Sequence, residues 1–154
     1  MVKLFTGTHD HKLDDKGRVA LPPDFRRVLT ARGSSGHLVI VPQLDDERAH
    51  VVFTSETYEK LVERHNVTDY GGRNRQRRMA AKLIGKAKHI QVDDNGRILL
   101  SRALRETIDL IKDVRYVGNA SCFEIWEPGN CDAFAAELEA DEGEPVFIDV
   151  RGLD

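Results

Sequence analysis

One short motif occurs twice in this chain, and that repetition limits what the chain can fold into more than any other feature. Leu13-Asp14-Asp15-Lys16-Gly17-Arg18-Val19-Ala20-Leu21 returns as Val92-Asp93-Asp94-Asn95-Gly96-Arg97-Ile98-Leu99-Leu100, with Asp14 and Asp93 79 residues apart. Asp14/Asp93, Asp15/Asp94, Gly17/Gly96, Arg18/Arg97 and Leu21/Leu100 are identical, and further on Phe25 aligns with Leu104 and Arg26 with Arg105. A sequence that carries one supersecondary unit twice builds its core from both copies. At 154 residues the chain is long enough for one compact core and too short for two ordinary domains.

The two copies share an order of elements. A strand of alternating character leads in, over Thr8 to Leu13 and over His89 to Val92. Lys16-Gly17 and Asn95-Gly96, each ahead of a new apolar run, are hairpin signals, because glycine takes the φ > 0 position of a tight turn. Asp14 and Asp93 can accept hydrogen bonds from turn N–H groups. A second strand follows through Val19-Ala20-Leu21 and Ile98-Leu99-Leu100, then a short helix. Pro22-Pro23 starts the first helix, with Phe25, Val28 and Leu29 as its apolar stripe. Ser101 is a suitable N-cap for the second, over Ala103 to Ile108. Leu38 to Val41 and Val114 to Val117, then Val51 to Phe53 and Phe123 to Trp126, complete the strands. Each copy ends in an amphipathic helix, capped by Ser55 with Tyr58, Leu61 and Val62 inward, and by Asn130 with Phe134 and Leu138 inward. Between the copies Met79, Leu83 and Ile84 stand at helical spacing among basic residues.

Short strands with unpaired edges are a liability that interleaving the two copies removes. The expected architecture is therefore α+β, mainly β, a closed barrel of two interleaved repeats with short flanking helices. Residues 1–140 form one pseudo-twofold domain, with units at 5–65 and 88–138 and a basic connecting helix at 72–88. Residues 141–154 are an acidic tail. Its acidity, Gly143 and Gly152 suggest mobility, while Val146-Phe147-Ile148 could add a short edge strand.

The net charge of −3 hides an asymmetry. From Gly71 to Val92 the charged residues are Arg73, Arg75, Arg77, Arg78, Lys82, Lys86 and Lys88, whereas Glu124 to Asp154 holds ten acids against Arg151. A local basic face can attract phosphate even when the total charge is negative; the same two segments could equally be solvated faces or pair between subunits. No apolar run is long enough to span a membrane, and no signal peptide is evident. Cys122 and Cys131 are spaced for neither a CxxC pair nor a zinc site, and two free thiols suit a reducing cytoplasm.

The stretch from Gly7 to Pro22, with Asp93-x-x-Gly96-Arg97-Ile98-Leu99-Leu100 and Phe123-Glu124-Ile125-Trp126, resembles the MraZ family of tandem SpoVT-AbrB-type units. The resemblance runs from about Phe5 to about Leu138, with Ser101 standing where the family's second unit usually has proline. It implies a double-psi β-barrel, ring-like homo-oligomers and binding of double-stranded DNA at short direct repeats upstream of the protein's own operon. The regulated genes would be the division and cell-wall cluster, largely under repression, with the protein cytoplasmic and nucleoid-associated. The family's DNA-binding signature, carried over, falls on Asp14 with Arg18 and on Asp93 with Arg97.

The residue chemistry agrees. A guanidinium fork pairs with two acceptors on guanine or with phosphate, and an aspartate four residues earlier can brace that fork. Arg18 and Arg97 are the expected DNA contacts, and Asp14 and Asp93 their supports. Gly17 and Gly96 make the turns, Lys16 and Asn95 are secondary contacts in the same turns, and Lys12 and Arg26 are candidates for phosphate. A plain structural Asp–Arg pair is the alternative for one turn; two equivalent copies favour function. His9 and His11 share a strand face but have no evident third ligand, so no metal and no other cofactor is expected. Trp126 belongs in the core. GxSxG, Walker and HExxH patterns are absent and no activated nucleophile is visible, which argues against an enzyme and a small-molecule substrate. The competing function is an AbrB-type antitoxin-like partner protein, although such proteins typically have one unit and a long tail.

Overall fold

Strand pairing runs both within each copy and between the two copies. The computed structural model describes residues 2–141 and 143–153, so Glu142 and Asp154 of the acidic tail lie outside the described residues. The first copy comprises β1 (Thr8–Lys12), β2 (Arg18–Ala20), α1 (Pro23–Ala31), β3 (His37–Pro42), β4 (Ala49–Thr54) and α2 (Ser55–Asn66). After α3 (Arg73–Ala80) and a π-helical turn (Ala81–Gly85) come β5 (Lys88–Gln91), β6 (Arg97–Leu99), α4 (Arg102–Thr107), β7 (Asp113–Asn119), β8 (Cys122–Trp126) and α5 (Pro128–Ala140). The six-stranded antiparallel sheet has the order β1-β7-β8-β4-β3-β5, and β2 pairs with β6 in a separate ribbon. The exchange is pseudo-twofold residue by residue: His11 faces Val114 as Ile90 faces Leu38, and Lys12 faces Asp113 as Gln91 faces His37.

The glycine turns form, but the strands flanking each turn do not pair with one another as a hairpin would. Each lead-in strand is already committed to the other copy. Leu13 N–H donates to the Lys112 carbonyl at 2.8 Å, and Val92 N–H to the Gly36 carbonyl at 2.9 Å. The product is α+β, mainly strands, and barrel-like, with ribbon and sheet lining one core.

That core explains the strand patterning. Val19 and Ile98 of the ribbon pack with Leu38, Ile40, Val52, Val114, Tyr116, Phe123 and Ile125 of the sheet. β3 is apolar on both faces because a second cluster, Val39, Val41, Val51 and Cys122, lies behind it under Phe53, Tyr58 and Ala87. Tyr58 Oη donates to the Leu83 carbonyl at 2.8 Å and ties α2 to the connecting segment. Trp126 is buried in the core and stacks on Phe134 at 5.1 Å between ring centroids, which seats α5 with Arg48 bridging Asp46 and Glu137.

Several local expectations are corrected. Thr54, not Ser55, caps α2, its hydroxyl accepting from Thr57 N–H at 3.2 Å; a cap must still be extended, and Ser55 is already helical. Glu127, not Asn130, caps α5, because Pro128 occupies the first helical position and the Glu127 carboxylate takes the Gly129 and Asn130 N–H groups. Leu138 is exposed rather than inward, while Tyr58, Leu61 and Val62 are half-buried. The π-helical turn shifts the helical phase, so Leu83 is buried and Ile84 is exposed, although one stripe was expected. Val146, Phe147 and Ile148 form no edge strand and stand in solvent. Ser101 does cap α4, accepting from Leu104 N–H at 3.2 Å.

His50 lies buried on β4, its Nε2 bonded to the Leu104 carbonyl at 2.9 Å and its Nδ1 without a partner among the described residues. Burial holds its pKa below the usual 6.5. Below about pH 6.5 the unfolded chain takes up a proton that the folded ring resists, so stability falls as pH drops through that value. His11, depressed by burial and by neighbouring His9, acts in the same direction. The urea midpoint is expected to be lower near pH 5.5 than near pH 7.5. The difference should shrink in His50→Gln, whose amide can keep the Leu104 bond; an undiminished difference would reject the assignment.

Candidate nucleic-acid interface

Each turn is built by its aspartate. Asp14 Oδ1 accepts the Lys16 N–H at 2.9 Å and the Arg18 N–H at 2.8 Å, and Asp93 Oδ1 accepts the Asn95 N–H at 2.8 Å and the Arg97 N–H at 2.9 Å. The second oxygen grips the arginine: Asp14 Oδ2 accepts Arg18 Nε at 2.9 Å, and Asp93 Oδ2 accepts Arg97 Nε at 3.3 Å. These backbone N–H groups, above all those of Arg18 and Arg97, hold both carboxyls below the usual carboxylate range. Gly17 and Gly96 sit at φ +83° and +74°, the left-handed region that favours glycine.

The turns flank one small ribbon. Arg18 faces Leu99 across it, and Ala20 faces Arg97. Leu21 N–H donates to the Gly96 carbonyl and Leu100 N–H to the Gly17 carbonyl, both at 2.9 Å, which locks each turn to the other copy. Alternation buries Val19 and Ile98 and turns Arg18, Ala20, Arg97 and Leu99 outward. Arg97 Nη1 lies 3.9 Å from Asp14 Oδ2, so the two arginines form one cluster. Each is bound at Nε, and among the described residues neither Nη of Arg18 has a hydrogen-bond partner. The aspartates therefore orient both guanidinium groups through Nε; the Arg18 double-donor end is left unoccupied, whereas Arg97 Nη1 also faces Asp14.

Two further arginines close over the turns. Arg26 of α1 lies against Gly96, where a Cβ would come within 2.6 Å of its Nη1. Arg105 of α4 lies against Gly17, where a Cβ would be 2.8 Å from the Leu100 oxygen and 3.2 Å from Arg105 Nε. Arg105 Nε also donates to the Leu100 carbonyl at 3.1 Å. Thus each copy's helix covers the other copy's turn. Arg105 was not among the sequence candidates, although its alignment with Arg26 was the signal that marks it.

The remaining candidates separate. Lys16 and Asn95 are exposed at the turn tips beside Arg18 and Arg97. Lys12 is held by Asp113 at 2.7 Å on the edge of the sheet. His9 and His11 pack edge-on against Phe25 and Tyr116, and among the described residues no three His, Cys, Asp or Glu side chains gather as a metal site would require. None of Arg73, Arg75, Arg77, Arg78, Lys82, Lys86 or Lys88 joins a salt bridge among the described residues. No helix among those residues is long and apolar enough to cross a membrane.

Strand exchange between two copies of one unit, with a matched pair of arginine turns on a shared ribbon, defines the class: a tandem-repeat, barrel-like protein with a duplicated polar surface. The profile of the family described as "MraZ protein, putative antitoxin-like" matches residues 4–45 and 83–145. The chain is 32% identical over 134 residues to the transcriptional regulator MraZ of Nitratidesulfovibrio vulgaris (strain DSM 19637 / Miyazaki F), covering 87% of each chain. It is 35% identical over 134 residues to the one from Acidithiobacillus ferrooxidans (strain ATCC 53993 / BNL-5-31), covering 84% of this chain and 87% of that one. With the one from Parvibaculum lavamentivorans it shares 34% identity over 139 residues, 88% of this chain and 83% of that one. The chain belongs to the MraZ family, and these relatives are transcriptional regulators by name.

Proposed function

We propose that this protein is a sequence-specific DNA-binding transcription regulator, and not an enzyme, with the ribbon between the two turns as its reading head. The observation that carries this is the pair of arginines held at Nε by their aspartates on the solvent face of one ribbon, with both Nη groups of Arg18 free of hydrogen bonds among the described residues. That is the geometry for bidentate contact with the O6 and N7 of guanine. Arg18 and Arg97 read bases, Lys16 and Asn95 assist them, and Asp14 and Asp93 hold them in place. Arg26 and Arg105 sit beside the head and meet phosphate; Lys12, engaged by Asp113, is the weakest of the candidates.

The fuller proposal follows the family. Residues 1–140 act as one pseudo-twofold domain ahead of an acidic tail. Copies assemble into ring-like homo-oligomers on direct repeats upstream of the protein's own operon, in the cytoplasm and on the nucleoid, and repress the division and cell-wall cluster. Footprinting on the DNA just upstream of the gene tests it: protection of evenly spaced direct repeats is the expected result, and no protection there rejects it. Head-to-tail contacts between copies repeat the head in one direction, which calls for direct rather than inverted repeats. Deleting one repeat, or shifting its spacing by half a helical turn, should therefore weaken binding by more than a single mismatch, about 1–3 kcal/mol. Anisotropy on templates with one, two and three repeats checks this, and equal affinities would reject it.

The cations from Arg73 to Lys88, which join no salt bridge among the described residues, supply a second expectation. If they meet phosphate, reversing Arg75, Arg77 and Arg78 to glutamate lowers affinity for every sequence alike and flattens the salt dependence. If they pair with acids of another copy, the same reversal changes the oligomer size, and sedimentation alongside the salt titration separates the two.

The antitoxin-like alternative has one observation in its favour, the exposed apolar run Val146, Phe147 and Ile148. Co-purification with a small, stable nuclease would support it over promoter binding.

A further inference from the structure

The two halves of the ribbon are equivalent in backbone but not in side chain. Lys16, Arg18 and Ala20 in one half correspond to Asn95, Arg97 and Leu99 in the other. Leu99 is out of place for folding. It is 55% exposed, between Ile98 at 0% and Leu100 at 1%, on a strand that alternation divides into a buried and a solvent face. It stands directly across the ribbon from Arg18, whose Nη donors are free among the described residues. An isobutyl group there covers no part of the core, and its repeat mate Ala20 shows that the ribbon does not need it.

We propose that Leu99 reads the C5-methyl group of a thymine next to the guanine engaged by Arg18, which makes the head of a single chain asymmetric. The proposal rests on the DNA-binding function above. In the major groove thymine is marked by its methyl, and an apolar side chain is what recognises it. Ala20, in the equivalent place beside Arg97, is too short to reach as far, and Asn95 replaces the cation Lys16 on the Leu99 side. Asparagine suits adenine N6 and N7, whereas lysine suits guanine or phosphate. One chain therefore recognises an element whose two halves differ, with the methyl contact in one half only.

The test begins with selection of binding sequences from a random duplex pool by the full chain. In the selected element each thymine is then replaced in turn by deoxyuridine, which lacks only the methyl. For the unaltered protein, uracil at one position should weaken binding about fourfold, the equivalent of losing one buried methyl contact; the other thymines should be neutral. Leu99→Ala should bind the thymine duplex about fourfold more weakly and no longer distinguish thymine from uracil, while keeping its guanine preference. Its far-UV spectrum and sedimentation coefficient should be unchanged. The proposal is overturned if every uracil duplex binds like its thymine parent, if the element contains no thymine, or if Leu99→Ala keeps the full discrimination. A change of oligomer size with discrimination intact assigns Leu99 to contacts between copies and also overturns it. A pool that yields no enriched sequence overturns the DNA-binding function itself, a result distinct from the others.

Discussion

Replacing Arg18 and Arg97 together by alanine is expected to abolish sequence-specific DNA binding while leaving the protein folded. Each bidentate arginine–guanine contact contributes about 1–3 kcal/mol of discrimination. Removing both is expected to cost about 2–6 kcal/mol for each head engaged on the DNA, multiplied across an oligomer on several repeats. The fold should persist because both side chains sit on the solvent face of the ribbon, and exposed ion pairs stabilise proteins little. The turns keep their frame, since Asp14 and Asp93 still accept the four backbone N–H groups. Lysine at both positions separates charge from geometry. It retains attraction to phosphate but loses the planar fork, so nonspecific, salt-sensitive binding should survive and preference for the selected element should not. Anisotropy with specific and scrambled duplexes measures both quantities. Unchanged specific affinity in the double alanine variant would remove the ribbon from the DNA interface.

Phe25→Ala carries the largest expected effect on stability. Phe25 is fully buried, 5.3 Å from Phe5, 4.9 Å from Phe123 and 6.1 Å from Tyr116 between ring centroids, and His9 packs edge-on against it at 5.0 Å. Truncating a buried phenylalanine costs about 3–5 kcal/mol, a large share of the roughly 5–15 kcal/mol that holds a domain together. The aromatic cluster is not matched in the second copy, where the aligned residue is Leu104 and is only half-buried. Leu104→Ala should therefore cost distinctly less, and urea unfolding of the two variants side by side gives the comparison. Equal losses would show that the two copies share the core evenly. Phe25 also seats α1, which carries Arg26 over Gly96, so the variant should loosen the turn of the second copy as well.

Much of this molecule is legible in a line of residues. The duplicated Asp-Asp-x-Gly-Arg stretch specifies its own turn: an aspartate that satisfies N–H groups two and four residues ahead, and a glycine where φ is positive. Those forces act within five residues, so they read the same in the chain and in the fold. The alternation of β1, the apolar stripe of α1, the Ser101 cap and the buried Trp126 are local or periodic for the same reason. Helix caps at Ser55 and Asn130 failed for a reason one residue wide, since the last extended residue before the helix, Thr54 or Glu127, must supply the cap.

Other features depend on contacts between residues far apart in sequence. Which strand pairs with which is set by the exchange of β1 and β5 between copies, a choice that a hairpin signal cannot reveal. The placing of Arg26 and Arg105 over glycines 70 and 88 residues away, each in the opposite copy, follows from that exchange. So does the solvent position of Leu99, which in the sequence reads as one more apolar residue in the run Ile98-Leu99-Leu100. A side chain's direction on a short strand is settled only when the partner strand and the core behind it are in place, and here both belong to the other half of the chain.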